Sequence, residues 1–302
     1  MAGMNVVNSF YSSKSVKTVE FVNLIHISRT LMRTKQSSEI EEMQSNRYIR
    51  EAYHAGKWYK SDPTELNATL SEYLTAAEME LNNSGESNMR IPRGVIAPHA
   101  GFSYSGPTAA YAYNALGEAL KTWCGTVVVL HPSHHLYLDG CAVSGATTIE
   151  TPLGDLTIDE SLRSELLNTG HFSVMDQETD QREHSGEMQY PYIAKMFLDC
   201  SKGTGTTGGN KSSTRRILPI MVGGLSNSQE NHFGQILATF LARENVFTVI
   251  SSDFCHWGQR FGYNPTSPPD HIKAPSSIKE IYQYVSFRCV PVDALHAIVL
   301  VN

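Results

Sequence analysis

The chain has 302 residues, enough for one large α/β domain or two small ones. Hydrophobic residues make up 41% and charged residues 18%, too apolar for a disordered chain, and a net charge of −6 argues against a general nucleic-acid-binding surface. No apolar run reaches the ~18 residues that a membrane span needs, and the five cysteines, odd in number and without a CxxC pair, speak against a disulfide framework and for a reducing compartment.

Residues 1–42 stand apart. Up to Ser38 they carry five basic side chains against one acid, with many serines. That composition leans toward a transit peptide, but the preferred reading is a poorly ordered extension, with translation starting at Met43. Residues 62–81 read as a helix: Asp62 caps it, Pro63 suits the first turn, and Leu66, Leu70, Leu74, Ala77 and Leu81 form one apolar stripe. Short, β-branched-rich runs at 94–97, 126–130, 217–222 and 247–251 read as strands. Between them, helical patterns occupy 107–120, 159–167, 187–197 and 228–243. Strands alternating with helices predict an α/β fold with a mostly parallel or mixed sheet and helices on both faces. The stretches 201–214 and 264–277 read as irregular connections.

Twelve histidines are a large number for this length, and several cluster. In open α/β sheets ligands bind beyond the carboxyl ends of the strands. Strand 94–97 leads into Pro98-His99-Ala100-Gly101, and strand 126–130 into His131-Pro132-Ser133-His134-His135. Strand 247–251 leads into Ser252-Asp253-Phe254-Cys255-His256-Trp257. If these strands are neighbours, the side chains converge on one pocket. Two neutral histidines and one anionic ligand make an open site for a divalent metal such as iron(II), whereas a histidine outside the coordination sphere can move protons. The segment Glu183-His184-Ser185-Gly186-Glu187 adds a histidine flanked by acids; a helix beginning at Ser185 puts His184 and Glu187 at its N-terminus, where backbone N–H groups favour anions. Taken singly, each feature has a plainer explanation. A lone histidine after a strand is more often a hydrogen-bonded loop residue, and His54 by itself says little. Cys255 reads as a structural thiol, since adjacent residues on an extended segment point apart.

Together and in order, these motifs resemble the Memo proteins, mediators of receptor-driven cell motility whose fold is similar to the class III extradiol dioxygenases. The matching segments are SNRYIREAYHAGKWY from Ser45, GVIAPHAGFSYSGPTAAYAY from Gly94, HPSHH from His131, TPLGDLTID from Thr151, EHSGEMQYPY from Glu183 and SSDFCHWGQRFGY from Ser251. They define a domain over 43–285, between the extension 1–42 and a tail, 286–302, that does not match the family. The resemblance implies metal contact by His99 and His134, with iron or copper as the ion. It makes Asp253 and His256 the catalytic candidates, Asp253 to orient or balance charge and His256 to transfer protons. His184, Glu187, His54 and Trp58 complete the expected pocket. A cytoplasmic, also nuclear, protein acting in redox balance or in signalling to the cytoskeleton follows, with phosphotyrosine-bearing receptor tails as partners. The alternatives are a non-haem iron dioxygenase-type enzyme and a phosphotyrosine-peptide module without catalysis.

Two departures affect the expected site. The family's third ligand is a cysteine in an Ile-Cys-Gly-Arg-His-Pro segment that does not occur in this sequence, and Cys289 has no matching context. Relative to the family the domain is therefore expected to be incomplete at its C-terminal side, and to lack a ligand unless Asp253 joins His99 and His134. The family also has glycine where His131 stands, so this imidazole is expected either to crowd the strand end or to add a ligand.

Overall fold

The computed structural model describes residues 47–84, 92–203 and 215–253. In chain order its elements are β1 (Tyr48–Arg50), α1 (Pro63–Ser84), β2 (Gly94–Ala97), α2 (Phe102–Thr122), β3 (Thr126–Pro132), β4 (Cys141–Val143), β5 (Ala146–Ile149) and β6 (Leu156–Thr157). There follow α3 (Glu160–Asn168), β7 (Phe172–Val174), α4 (Gln177–Arg182), α5 (His184–Glu187), α6 (Tyr190–Gly203), β8 (Arg216–Val222), α7 (Asn227–Leu241) and β9 (Val246–Ser251).

Six strands form one sheet in the order β2-β9-β3-β8-β4-β7, flanked by helices. The first four are mutually parallel; β4 runs antiparallel to β8, and β7 parallel to β4. The sheet is thus mixed, and a small second sheet, β1-β5-β6, stands beside it. Every residue of β3 and β9 is buried, which is why their sequences are continuously apolar rather than alternating. Pro219 sits inside β8 opposite Val129, yet costs no ladder bond. Its carbonyl accepts from Ser144 N–H at 3.1 Å, so its nitrogen faces the side on which β4 has already ended at Val143.

The helices follow their sequence signals closely. Asp62 Oδ1 accepts from the backbone N–H groups of Thr64 and Glu65, both at 2.9 Å, and the stripe Leu66, Leu70, Leu74, Ala77 is buried. Burying a leucine of this kind is worth about 1.5–3 kcal/mol. Asp159 caps α3 by accepting from Leu162 N–H, and Ser226 with Gln229 forms a complete capping box at α7. Two helical expectations are corrected. Helix α2 begins at Phe102, not at Pro107, which lies inside it on the exposed side. The helix expected over 187–197 is two pieces, α5 and α6, separated at Met188 and Gln189. Among the described residues no helix is long and apolar enough to cross a membrane.

The topology positions the site. Because β9 inserts between β2 and β3, three parallel strands end side by side, and the residues after them leave the sheet at one edge. The backbone N–H of Ser252 still pairs with Ala97 O at 3.0 Å, so β2 and β9 stay in register up to the point where the histidines begin.

Candidate metal centre

His99 follows β2, and His134 follows β3. His184 opens α5, a single turn that packs against β3. Their rings meet: centroids are 5.2 Å apart for His99–His134, 4.4 Å for His134–His184 and 5.6 Å for His99–His184. One ring nitrogen from each lies within 4.8 Å of the other two, a group that could hold a metal ion.

The surroundings determine which nitrogen of each ring carries the lone pair. Ser251 Oγ donates to Ser185 O at 2.7 Å, and a hydroxyl has one proton. Towards His99 Nδ1, 2.9 Å away, it must therefore accept, so Nδ1 is protonated and Nε2 is the lone-pair nitrogen. Gln189 donates to the same Ser251 Oγ and to Pro98 O, both at 3.0 Å, fixing the hydroxyl in place. Glu183 does the same for His134. Its Oε1 accepts from His134 Nδ1 at 2.9 Å and its Oε2 from His134 N–H at 2.6 Å, again leaving Nε2 as the lone-pair nitrogen. A carboxylate behind a histidine is the usual support for a ligating imidazole. Burial alone would raise the Glu183 pKa; the hydrogen bonds from His134, with the backbone N–H of Ser185, overcome that and hold it well below the carboxylate range.

His184 is kept neutral by different means. Burial lowers its pKa to about 4 against the pull of Glu183, and the neighbouring His134, His99 and His54 rings push it the same way. A neutral imidazole is the form that binds metal. The donor set therefore fits a borderline transition-metal ion. The side chain of His134 is 32% exposed, whereas His99 and His184 show 3% and 14%, so the cluster opens to solvent on the His134 side.

Behind this cluster lies a second, fully buried network. Arg50 donates from Nη1 to Glu187 Oε2 at 2.7 Å, from Nε to Asp180 Oδ1 at 3.1 Å, and from Nη2 to the carbonyls of Asp180 and Glu183 at 2.9 and 3.0 Å. Burial works against the guanidinium charge, but Glu187, Tyr190 and Asp180 raise its pKa above the ordinary value. Glu187 also accepts from His54 N–H at 2.7 Å, His54 Nδ1 at 2.9 Å and Tyr59 Oη at 2.8 Å. Burial would raise its pKa as well; Arg50 and His54 bring it below the usual value.

The expected site residues divide accordingly. His99, His134 and His184 come together, and Trp58 stacks at a tilt on His184 with centroids 4.6 Å apart. His54 stands one step out, 6.2 Å from His184 and 5.6 Å from Trp58 between centroids. Glu187 lies behind His54 rather than among the rings; as expected His184 and Glu187 fall in the first turn of a helix, which begins one residue before Ser185 and is capped by Glu183. Asp253 accepts from His99 N–H at 2.8 Å, and its other oxygen lies 3.8 Å from His99 Nε2. His256 lies outside the described residues, as do Cys255, Trp257, Cys289 and the two terminal segments.

His131 does not join the cluster. It is buried within β3, where Ser185 Oγ donates to Pro132 O at 2.7 Å and hence accepts from His131 Nδ1 at 3.0 Å. Its Nε2 has no hydrogen-bond partner among the described residues, and it faces Gly186, where an added Cβ would lie 3.1 Å from that nitrogen and 2.6 Å from Tyr190 Oη. His131 is thus packed within the strand against Gly186 and apart from the ring cluster.

A family model described as Memo-like protein matches residues 50–288. The chain belongs to this Memo-like family. It is 41% identical over 221 residues to Protein MEMO1 of Homo sapiens, covering 73% of this chain and 67% of that protein. Protein MEMO1 of Danio rerio is 41% identical over 220 residues, 72% of this chain and 67% of the relative. Protein memo-1 homolog of Caenorhabditis elegans is 38% identical over 218 residues, 72% of this chain and 55% of the relative. All the cluster residues of this Memo-like chain lie inside the span that the family model matches. Arg50, Asp180, Ser251 and Gln189 escaped the sequence reading. Arg50 and Glu183 stand in quoted motifs, but nothing in a sequence says that a charge will be buried.

Proposed function

We propose that this Memo-like protein binds one iron or copper ion through His99, His134 and His184, and acts through it in redox balance or in signalling to the cytoskeleton within the cytoplasm. One observation carries the reading: three imidazole nitrogens within 4.8 Å of one another, two of them in tautomers fixed from behind by Ser251 and Glu183. Bound there, such an ion would supply one-electron chemistry and Lewis acidity. The chain's own residues do the rest. Ser251 and Glu183 orient two rings, burial keeps His184 unprotonated, and Trp58 covers one face of His184. Asp253, beside His99 Nε2, contributes negative charge that offsets a cation.

Anaerobic titration with iron(II), and separately with copper, tests this in the wild type and in His99→Ala, His134→Ala and His184→Ala. The reading expects one equivalent in the wild type and loss of that equivalent in each variant. Uptake unchanged by all three substitutions would reject it.

A second reading, a non-haem dioxygenase-type enzyme, is favoured by His54. The Glu187 carboxylate only accepts, so His54 Nδ1 is the protonated nitrogen and Nε2 can take a proton beside the cluster. Oxygen consumption with catechols by the iron-loaded protein, absent in His54→Ala, would support it; no consumption above buffer would dismiss it. Receptor-tail binding is a third proposal, for which Tyr53 and Lys57 beside His54 offer an exposed aromatic and a cation. Pull-down with and without phosphate on the tyrosine checks it.

A further inference from the structure

The sequence places a histidine directly before a phenylalanine twice, at His171-Phe172 and at His232-Phe233. Phe172 opens β7, and Phe233 lies in the second turn of α7; both are buried, and their rings meet edge to face with centroids 5.5 Å apart. Two buried rings in contact bring their neighbours out of the core side by side. His171 and His232 are exposed, their ring centroids are 4.4 Å apart, and His232 Nε2 lies 3.1 Å from His171 Nδ1.

Both histidines are held by short-range structure. His171 follows Gly170, whose positive φ of +76° ends α3 in the left-handed region, with Gly170 N–H on Leu167 O at 2.9 Å. His232 sits just beyond the capping box of α7, and Gln229 of that box donates to Asp139 at 2.6 Å. His232 also meets the Phe233 ring at 5.7 Å. The two nitrogens are thus presented by elements that the core fixes, and they require little reorganisation to share a ligand.

We propose that His171 Nδ1 and His232 Nε2 form a second cation site, separate from the His99 cluster, for a borderline divalent ion such as zinc, copper(II) or nickel(II). Two nitrogens at ~2.0–2.1 Å on a tetrahedral ion lie about 3.3 Å apart, close to the 3.1 Å of this pair. In the metal-free pair one nitrogen donates to the other. On binding, the donor ring moves its proton to its far nitrogen, both facing lone pairs go to the ion, and water completes the coordination. Imidazole donors without a carboxylate select against magnesium and calcium, which take oxygen ligands. The bound ion clamps the α3–β7 connection to α7, so loading raises thermal stability by mass action.

Zinc binding to the full chain tests the site, by equilibrium dialysis with thermal melting alongside. The wild type binds one more zinc than His171→Gln or His232→Gln, and zinc raises the melting midpoint of the wild type further than that of either variant. His99→Ala, which disables the first cluster, keeps one zinc, and His99→Ala with His232→Gln keeps none. Since both residues are exposed, the Gln variants melt like the wild type in chelator, and either variant alone is sufficient. Equal zinc stoichiometry in the wild type and both Gln variants overturns the inference, as does an extra equivalent that calcium or magnesium displaces as well as zinc. Failure of the first cluster to bind metal leaves this result readable, because the comparison within the His232 variants does not involve it.

Discussion

Two neighbouring groups of polar side chains show opposite economies of hydrogen bonding. Around Arg50, donors meet acceptors: one guanidinium reaches two carboxylates and the carbonyls of Glu51, Asp180, Gln181 and Glu183, and Glu187 accepts from four donors. The Arg50, Asp180 and Glu187 side chains are all buried. Around His99, three rings bring one nitrogen each within 4.8 Å of the others, and two of the rings are held by a partner on Nδ1. The first group ties buried charges to one another; the second gathers three side chains of a type that could hold a metal ion. Glu183 belongs to both, since its carboxylate holds His134 while its carbonyl accepts from Arg50.

The largest expected effect breaks the first group. Arg50→Met leaves Asp180 and Glu187 without their buried counter-charge, and removing one partner of such a set costs about 3–5 kcal/mol. Denaturant unfolding should show that loss as a lowered midpoint. An Arg50→Met protein as stable as the wild type would mean that the guanidinium is not the counter-charge these carboxylates depend on.

Acid should act next, through His131. Burial lowers its pKa from 6.5 to about 4, with Glu183 and Asp180 only partly opposing it. Below pH 6.5 the unfolded chain protonates this imidazole while the folded chain stays neutral until about pH 4. The unfolded state then binds more protons, and stability falls as pH drops through that window. The loss amounts to roughly 3 kcal/mol in total. His131→Leu should lessen the slope of the stability profile between pH 6.5 and 4, the remainder coming from His184, whose pKa burial also lowers to about 4; an unchanged slope would assign the loss to other groups. The depressed carboxylates Glu183 and Glu187 lose their contribution only at lower pH, as it falls through their own folded pKa values.

Smaller changes sharpen the open side. Glu183→Gln keeps the shape but removes the charge behind His134, and loss of such a partner weakens metal binding about 10–100-fold. Ser251→Ala frees the His99 tautomer and should weaken binding by about tenfold, at the low end of that range. Titration with zinc and a competing chelator measures both, and neither substitution should abolish folding. Should Glu183→Gln bind zinc as tightly as the wild type, the orienting role assigned to Glu183 fails. Smallest of all, Ser226→Ala removes half of the α7 capping box and costs about 1 kcal/mol without touching the metal affinity of the His99 cluster.

The sequence carried the backbone of this account further than its chemistry. Apolar runs gave β2, β3, β8 and β9 to within two residues; for β3, β8 and β9 the reason is that strands buried on both faces leave no alternation to misread. The five other strands, β1 and β4 to β7, have two to four residues each, too short for any period. They supply the antiparallel pairing and the second sheet. Pro107 misplaced the start of α2: it looked like a first-turn residue, but the helix had already begun, and Ser105 Oγ returns to Ala100 O at 2.6 Å to secure that earlier start. A gathering of histidines was legible from the residues after strands, and the resemblance picked out His99 and His134 within it. That His184 would stand in the pocket came from the resemblance alone, since its place depends on the turn α5 folding back against β3, a tertiary event with no local signal. The same holds for Arg50, whose partners lie some 130 residues away in the chain.

The central claim is that one cation is shared by the imidazoles of His99, His134 and His184. X-ray absorption fine structure on the zinc-loaded protein tests it most directly, carried out in a His232→Gln background so that only the first cluster is filled. The expected result is a shell of nitrogen at ~2.0–2.1 Å with imidazole scattering from three rings, falling to two in His184→Ala. A sulfur shell at ~2.3 Å in place of those rings, or a ring count unchanged by His184→Ala, would contradict it.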